Sequence, residues 1–204
     1  MNFSSRYFFI VFLCAVLAGT GFFIILLQKS DKPTEISTQI IASEAEDSFL
    51  SRFGSAETYE PAQILPEIEI IGFNEKTIML ADFKGKWRLV NFWAAWCPPC
   101  IEEMPGLIQL EKERGGKNFE VVVISVDSHS GEQHIRDWMK KAGLLGAFHE
   151  FYVKNLDVWY KLGLEGVPTS LIIGPDGRLY YKLVGERDWS DQETLDFIDK
   201  LLKN

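Results

Sequence analysis

The pair Cys97-Pro98-Pro99-Cys100, set close behind the apolar run Arg88-Leu89-Val90-Asn91-Phe92-Trp93, constrains this chain more than any other feature. A run that dense in Leu, Val, Phe and Trp reads as a strand of a sheet covered on both faces. The residues from Cys97 to about Arg114 read as a helix, with Pro105 as a point of kinking. A strand, a short loop and a helix opened by a cysteine have a chemical consequence. Cys97 falls at the N-cap, among unpaired backbone N–H groups and at the positive end of the helix dipole. Both favour thiolate over thiol, and thiolate is the reactive form. Pro98 suits the first helical position, where a missing N–H is no loss. Cys100 lies about one turn further on, within bonding reach of Cys97, and is expected to be the more buried. Cys97 therefore attacks a partner disulfide, and Cys100 then attacks Cys97 and releases the reduced partner.

The rest of the cysteine usage agrees. Three cysteines in 204 residues are too few for a disulfide framework. Cys14 sits in an apolar run, and a structural zinc site would need a second pair of ligands, which His129, His134 and His149 do not supply by spacing. No metal is therefore expected. No Gly-x-Gly-x-x-Gly follows a strand, so neither a nicotinamide nor a flavin cofactor is expected. A net charge of −8 argues against a nucleic-acid partner, since phosphate binding needs clustered Lys and Arg.

Residues 7–27 carry no charge. As a helix they would span about 30 Å, the thickness of a bilayer core. A cleaved signal peptide is the alternative, with Ala15, Ala18 and Gly19 as a cleavage patch. Cleavage there would leave Phe22-Phe23-Ile24-Ile25-Leu26-Leu27 exposed, and the run exceeds the usual signal core. An uncleaved anchor is preferred, with residues 1–6 in the cytoplasm. Residues 28–60 are mixed polar and acidic and read as a tether, helical in part around residues 42–53.

Globular patterning begins at Pro61. Residues 67–71 alternate like a strand, and residues 77–80 return as its hairpin partner. Residues 119–126 form the next buried strand; 132–142 and 156–162 are helical. Residues 169–173 and 178–183 pair around Gly174-Pro175-Asp176-Gly177. Ser190-Asp191-Gln192-Glu193 fits a capping box for a last helix to Leu202. The expectation is an α/β domain over residues 61–204, with a mixed central sheet flanked by helices.

Phe92-Trp93-Ala94-Ala95-Trp96-Cys97-Pro98-Pro99-Cys100, followed downstream by Gly166-Val167-Pro168-Thr169, resembles the thioredoxin superfamily. More narrowly it resembles the membrane-anchored TlpA, ResA and CcmG (DsbE) group of bacterial thiol-disulfide oxidoreductases. Glu102-Glu103-Met104-Pro105 and Gly185-Glu186-Arg187-Asp188-Trp189-Ser190 are similar to the TlpA side. The resemblance implies a thioredoxin fold with an N-terminal hairpin and a helical insertion over about residues 128–145. It implies a cis bond between Val167 and Pro168, with Pro168 facing the cysteines and Val167 offering backbone groups to a bound peptide. Trp96 would form part of that docking surface. Trp93, Trp138, Trp159 and Trp189 read as packing, and the histidines as surface or core residues.

Two positions depart from the best-known thioredoxins, which carry a buried Asp on the strand before the motif. Here that residue is Asn91, which cannot shuttle a proton. In the ResA and CcmG group a Glu three residues after the second cysteine lies near the dithiol, and Glu103 matches it. The plain alternative for Glu103 is a solvated carboxylate favouring the helix dipole.

The resemblance points to a reductase on the outer face of the bacterial inner membrane, acting in cytochrome biogenesis. A TlpA-like protein would keep copper-ligand cysteines of an oxidase subunit or its copper chaperone reduced. A CcmG-like protein would reduce apocytochrome c. The Glu that usually follows the cis proline in the CcmG group is absent, since Thr169 follows Pro168, and this favours TlpA. Electrons would come from a membrane relay of the CcdA or DsbD type. Two other readings use the same thiols: a Cu(I) carrier, because soft thiolates suit that ion, and a disulfide-forming oxidant.

Overall fold

The structure, a computed structural model, describes residues 46–127 and 131–203. The expected anchor at residues 7–27 and the first part of the expected tether lie outside them. Among the described residues no helix is long and apolar enough to cross a membrane.

One eight-stranded sheet carries the fold, in the order β1-β8-β7-β4-β5-β6-β2-β3. The strands are β1 (Ser55–Ile64), β2 (Glu69–Gly72), β3 (Thr77–Met79), β4 (Trp87–Trp93), β5 (Phe119–Ser125), β6 (His149–Tyr152), β7 (Thr169–Ile173) and β8 (Arg178–Val184). Pairs β4–β5 and β5–β6 are parallel and the others antiparallel, so the sheet is mixed as expected. Every residue of β4 and β5 is buried. That is why their sequences are densely apolar rather than alternating, with the few polar residues among them buried and hydrogen-bonded. Residues 46–50 form α1; α2 (Pro98–Arg114), α3 (Gly131–Lys141), α4 (Asp157–Lys161) and α5 (Gln192–Leu201) complete the helices.

The β2–β3 hairpin pairs Ile70 with Ile78, and the turn after β7 closes with the Gly177 N–H on the Gly174 carbonyl at 2.9 Å. Gly177 has φ of +78°, a conformation that glycine adopts without strain. The helical insertion is α3, lying between the parallel strands β5 and β6.

Two boundaries are corrected. The compact unit runs from Ala45 to Asn204, so it begins before Pro61. The second half of the supposed tether is part of the fold: β1 pairs Ser55 with Val184 along β8, and Phe49 is fully buried. The reason lies in tertiary partners that no local pattern reveals. Phe49 stacks on Phe197 of α5 at 4.1 Å, and Glu46 accepts hydrogen bonds from Tyr181 Oη (2.7 Å) and Lys200 Nζ (2.5 Å). Burying one such Phe is worth about 2 kcal/mol, and the polar contacts settle the orientation. The second correction is the cap of α5. Asp191 rather than Ser190 is the N-cap, its Oδ1 accepting the Thr194 N–H at 2.8 Å. A carboxylate is the better partner for the positive helix end, and it also holds Arg187. Ser190 instead donates its hydroxyl to Asp188.

Candidate functional site

Strand β4 ends at Trp93, and the loop Ala94-Ala95-Trp96 carries the chain to Cys97, the N-cap of α2. Pro98 and Pro99 occupy the first two helical positions, so the first amide free to donate is that of Cys100. It points at Cys97 Sγ, 3.3 Å away. This contact, at the positive end of a 17-residue helix, stabilises a thiolate on Cys97 in the reduced state. The two cysteines are joined as a disulfide, with Cα atoms 5.3 Å apart. Cys100 is fully enclosed, and Cys97 keeps only 3% of its surface. A partner can therefore reach one sulfur and not the other.

The loop before β7 closes over that sulfur. The Val167–Pro168 bond is cis, as the resemblance implies, and the Val167 carbonyl oxygen lies 3.5 Å from Cys97 Sγ. Val167 is half-buried and Pro168 buried. Trp96, next to Cys97 in the chain, is 65% exposed and offers a large apolar surface to a partner. Trp93, by contrast, is fully buried against Trp138 at 5.1 Å. The structure thus brings Trp96, Cys97, Cys100, Val167 and Pro168 together.

Glu103 is not a solvated surface carboxylate. Only 4% of it is exposed, one turn below Cys100 on the inner face of α2. Asn91 Nδ2 donates to its Oε1 at 2.6 Å; Trp189 Nε1 (3.0 Å) and the Arg187 amide (3.2 Å) donate to its Oε2. Burial raises its pKa from 4.5 to about 7, against the opposing pull of those three donors. A carboxyl group poised near neutrality next to a dithiol can take up and return a proton within one catalytic cycle. Asn91 occupies the place where the usual Asp would stand, and it positions the acid rather than replacing it. Its amide also donates to Ser170 Oγ at 3.0 Å, linking β4, α2 and β7. A cleft of about 560 Å³, lined by Glu102, Glu103, Gly106, Glu186, Arg187 and Asp188, brings solvent to the edge of the carboxylate.

Sequence reasoning missed three contributors. Trp189 is more than packing, because its indole N–H holds Glu103. Gly106 lets the segment 188–190 approach α2 closely: a Cβ there would lie 3.0 Å from the Trp189 backbone nitrogen. Asp127 is the third. It is buried after β5, and its Oδ2 accepts the Ala95 N–H at 2.7 Å and the Ser125 hydroxyl at 3.1 Å. It therefore fixes the loop that presents Trp96 and Cys97. Asp127→Ala is expected to cost about 1–2 kcal/mol of stability, measured by denaturant unfolding, by leaving the half-buried Ala95 amide and the buried Ser125 hydroxyl without this acceptor. Asp127→Asn, which keeps an acceptor oxygen, should recover most of that loss.

The AhpC/TSA family matches residues 61–182. The chain is 30% identical over 135 residues to the thiol-disulfide oxidoreductase ResA of Bacillus cereus (strain ATCC 10987 / NRS 248), covering 66% of this chain and 76% of that protein. It is 32% identical over 143 residues to ResA of Oceanobacillus iheyensis, covering 69% of each. The solved thioredoxin domain of a thiol-disulfide oxidoreductase from Bacteroides vulgatus superposes with a TM-score of 0.59 at 23% identity. That match covers 72% of this chain and 98% of the domain, and it bears on the fold alone.

Proposed function

We propose that this chain, which belongs to the AhpC/TSA family and is a thiol-disulfide oxidoreductase of the thioredoxin superfamily, is an anchored reductant of protein disulfides outside the cytoplasm. The observation that carries the reading is the single accessible sulfur of Cys97, flanked by the Val167 carbonyl and the exposed face of Trp96. An extended peptide laid along residues 166–168 would meet main-chain groups on one side and an apolar platform on the other. The reduced Cys97 thiolate attacks the client disulfide; one client sulfur leaves as a thiol and the other stays bonded to Cys97. The Cys100 thiolate then displaces it. The client gains two electrons and two protons, and the enzyme is left as the disulfide. The uncharged run at residues 7–27 supports a membrane anchor, with the catalytic domain in the periplasm and a CcdA- or DsbD-type relay as the electron donor.

The clients are cysteine pairs of proteins that receive copper or haem during cytochrome assembly. Thr169 after Pro168 supports the copper site of an oxidase subunit or its chaperone. The buried Glu103 supports apocytochrome c, because that acid is the mark of the ResA and CcmG group. A Cu(I) carrier would draw on the same thiols. Among the described residues no third His, Cys, Asp or Glu joins them as a ligand group.

Equilibrating the protein with glutathione tests the direction of transfer. A potential below about −200 mV is expected for a reductant; a value near that of strong periplasmic oxidants would overturn the reading. Titrating the reduced protein with Cu(I) tests the carrier. Tight one-to-one binding without disulfide reductase activity would replace this reading by that one.

A further inference from the structure

The contacts of Glu103 lead outward to a part of the chain that no local pattern connects with the chemistry. Both donors to its Oε2 belong to the segment from Arg187 to Trp189. That segment is met by the two aromatic residues that enter the fold before β1. Phe53 lies 5.7 Å from the Trp189 ring and 5.3 Å from Phe49. The Arg187 guanidinium sits over both rings, 4.5 Å from Phe49 and 5.6 Å from Phe53. It is also gripped by Asp191 at 2.9 Å, Thr194 at 3.0 Å and Glu193 at 3.4 Å. Arg52 reaches the same Glu193 from the aromatic segment at 2.7 Å. Each contact is modest on its own. Together they hold the side chains of Arg187 and Trp189, the two residues whose N–H groups reach Glu103.

The structure assigns Phe49 and Phe53 a positioning role in the thiol chemistry: they hold the Arg187–Trp189 segment against Glu103, so that water reaches the acid only from the cleft beside it. Neither ring touches the cysteines. Their effect passes through the Arg187 amide and the Trp189 indole. The inference rests on the dithiol reading of the site but not on any client.

The expected sign follows from what surrounds the carboxyl. Asn91 faces it from β4, with Ser170 of β7 behind; Arg187 and Trp189 face it from the loop; Cys100 and Glu102 share its helix. Glu186 is the carboxylate whose charge acts on it from the loop, and Asp188 lines the same cleft. Burial is the largest influence on Glu103 and holds its proton. Loosening the clasp lets water hydrate the carboxylate and stand in for the lost donors, so the proton is released at lower pH.

The test is alkylation of the reduced full-length protein, scanned from acid to alkaline pH. Wild type should show an inflection near pH 7 that Glu103→Gln removes. Phe53→Ala is expected to move that inflection down by about one pH unit, whereas Phe53→Leu, which keeps apolar cover, leaves it in place. The double variant Phe53→Ala/Glu103→Gln should match Glu103→Gln alone. A Phe53→Ala protein that melts earlier but keeps the wild-type inflection would overturn the proposal, as would a displacement that persists without Glu103. Should Phe53→Ala not fold, Arg187→Lys decides by the same criterion, because it keeps the charge but loses the planar stack over Phe49. Alkylation reads the thiol directly, so a failure of the glutathione or client assays would strike the functional reading and leave this result intact.

Discussion

Cys100→Ser is expected to stop turnover and leave client proteins covalently held on Cys97. Steady-state reduction of a disulfide substrate should fall by about 10³-fold or more, since the step that frees the client is gone. The burial of the two sulfurs makes the outcome asymmetric. Cys97 keeps a sliver of surface beside the Val167 carbonyl, and Cys100 has none. Cys97→Ser should therefore lose activity as fully yet form no adducts, because Cys100 cannot be reached by a partner. The check is non-reducing electrophoresis of cells carrying each variant, with bands that collapse on adding dithiothreitol. Mass spectrometry of the Cys100→Ser adducts would name the client and separate a copper-receiving protein from apocytochrome c. Adducts on Cys97→Ser instead would reverse the assignment of attacking and resolving sulfurs.

The second large effect concerns Glu103, in two measurements of opposite sense. Glu103→Gln is expected to slow resolution by Cys100 about 10²-fold near neutral pH, the usual contribution of one positioned acid–base group. It should also erase the inflection near pH 7 in the rate profile. The same substitution is expected to stabilise the fold at alkaline pH. The folded carboxyl holds its proton up to about pH 7, while the unfolded one loses it near 4.5. Between those values the unfolded state binds fewer protons, so stability falls as pH rises. The group exacts no penalty below the unfolded value and its full penalty, about 3 kcal/mol, above the folded one. Denaturant unfolding at pH 4 and pH 8 should show that loss in wild type and little of it in Glu103→Gln. A flat difference between the two proteins would mean that the buried carboxyl titrates normally and carries no proton for the dithiol.

A site that keeps a destabilising carboxyl has a use for it. Three donors converge on Glu103 from two separate parts of the fold, β4 and the loop before α5, and Gly106 clears space for one of them. Asn91 stands on the strand where the best-known thioredoxins carry an Asp, and the buried acid of this chain, Glu103, is on the helix instead.

How much of this was legible in the sequence depended on whether the signal was local. Apart from β6, which no local pattern separated from a loop, the order of elements from β2 onward followed from periodicity, turn residues and the dense apolar runs of β4 and β5. The hairpin, the turn at residues 174–177 and the start of α2 all have short-range causes, and short-range patterns reported them. The N-cap place of Cys97, its bonding reach to Cys100 and the deeper burial of Cys100 followed likewise from helix geometry alone. The start of the domain did not. Residues 46–53 are polar enough to read as tether, and only Phe197, Tyr181 and Lys200, far along the chain, make them part of the core.

The opening feature shows the same division. Cys97-Pro98-Pro99-Cys100 by itself determined a dithiol at a helix N-terminus, because backbone N–H groups and the helix dipole act over one turn. Sequence spacing could place Glu103 on the following turn, but it could not say whether that turn faced water or core. That was decided by tertiary structure, by Asn91 from one side and the Arg187–Trp189 segment from the other. A carboxyl group's proton affinity is set by what excludes water from it, and those groups are distant in sequence and adjacent only in the folded protein.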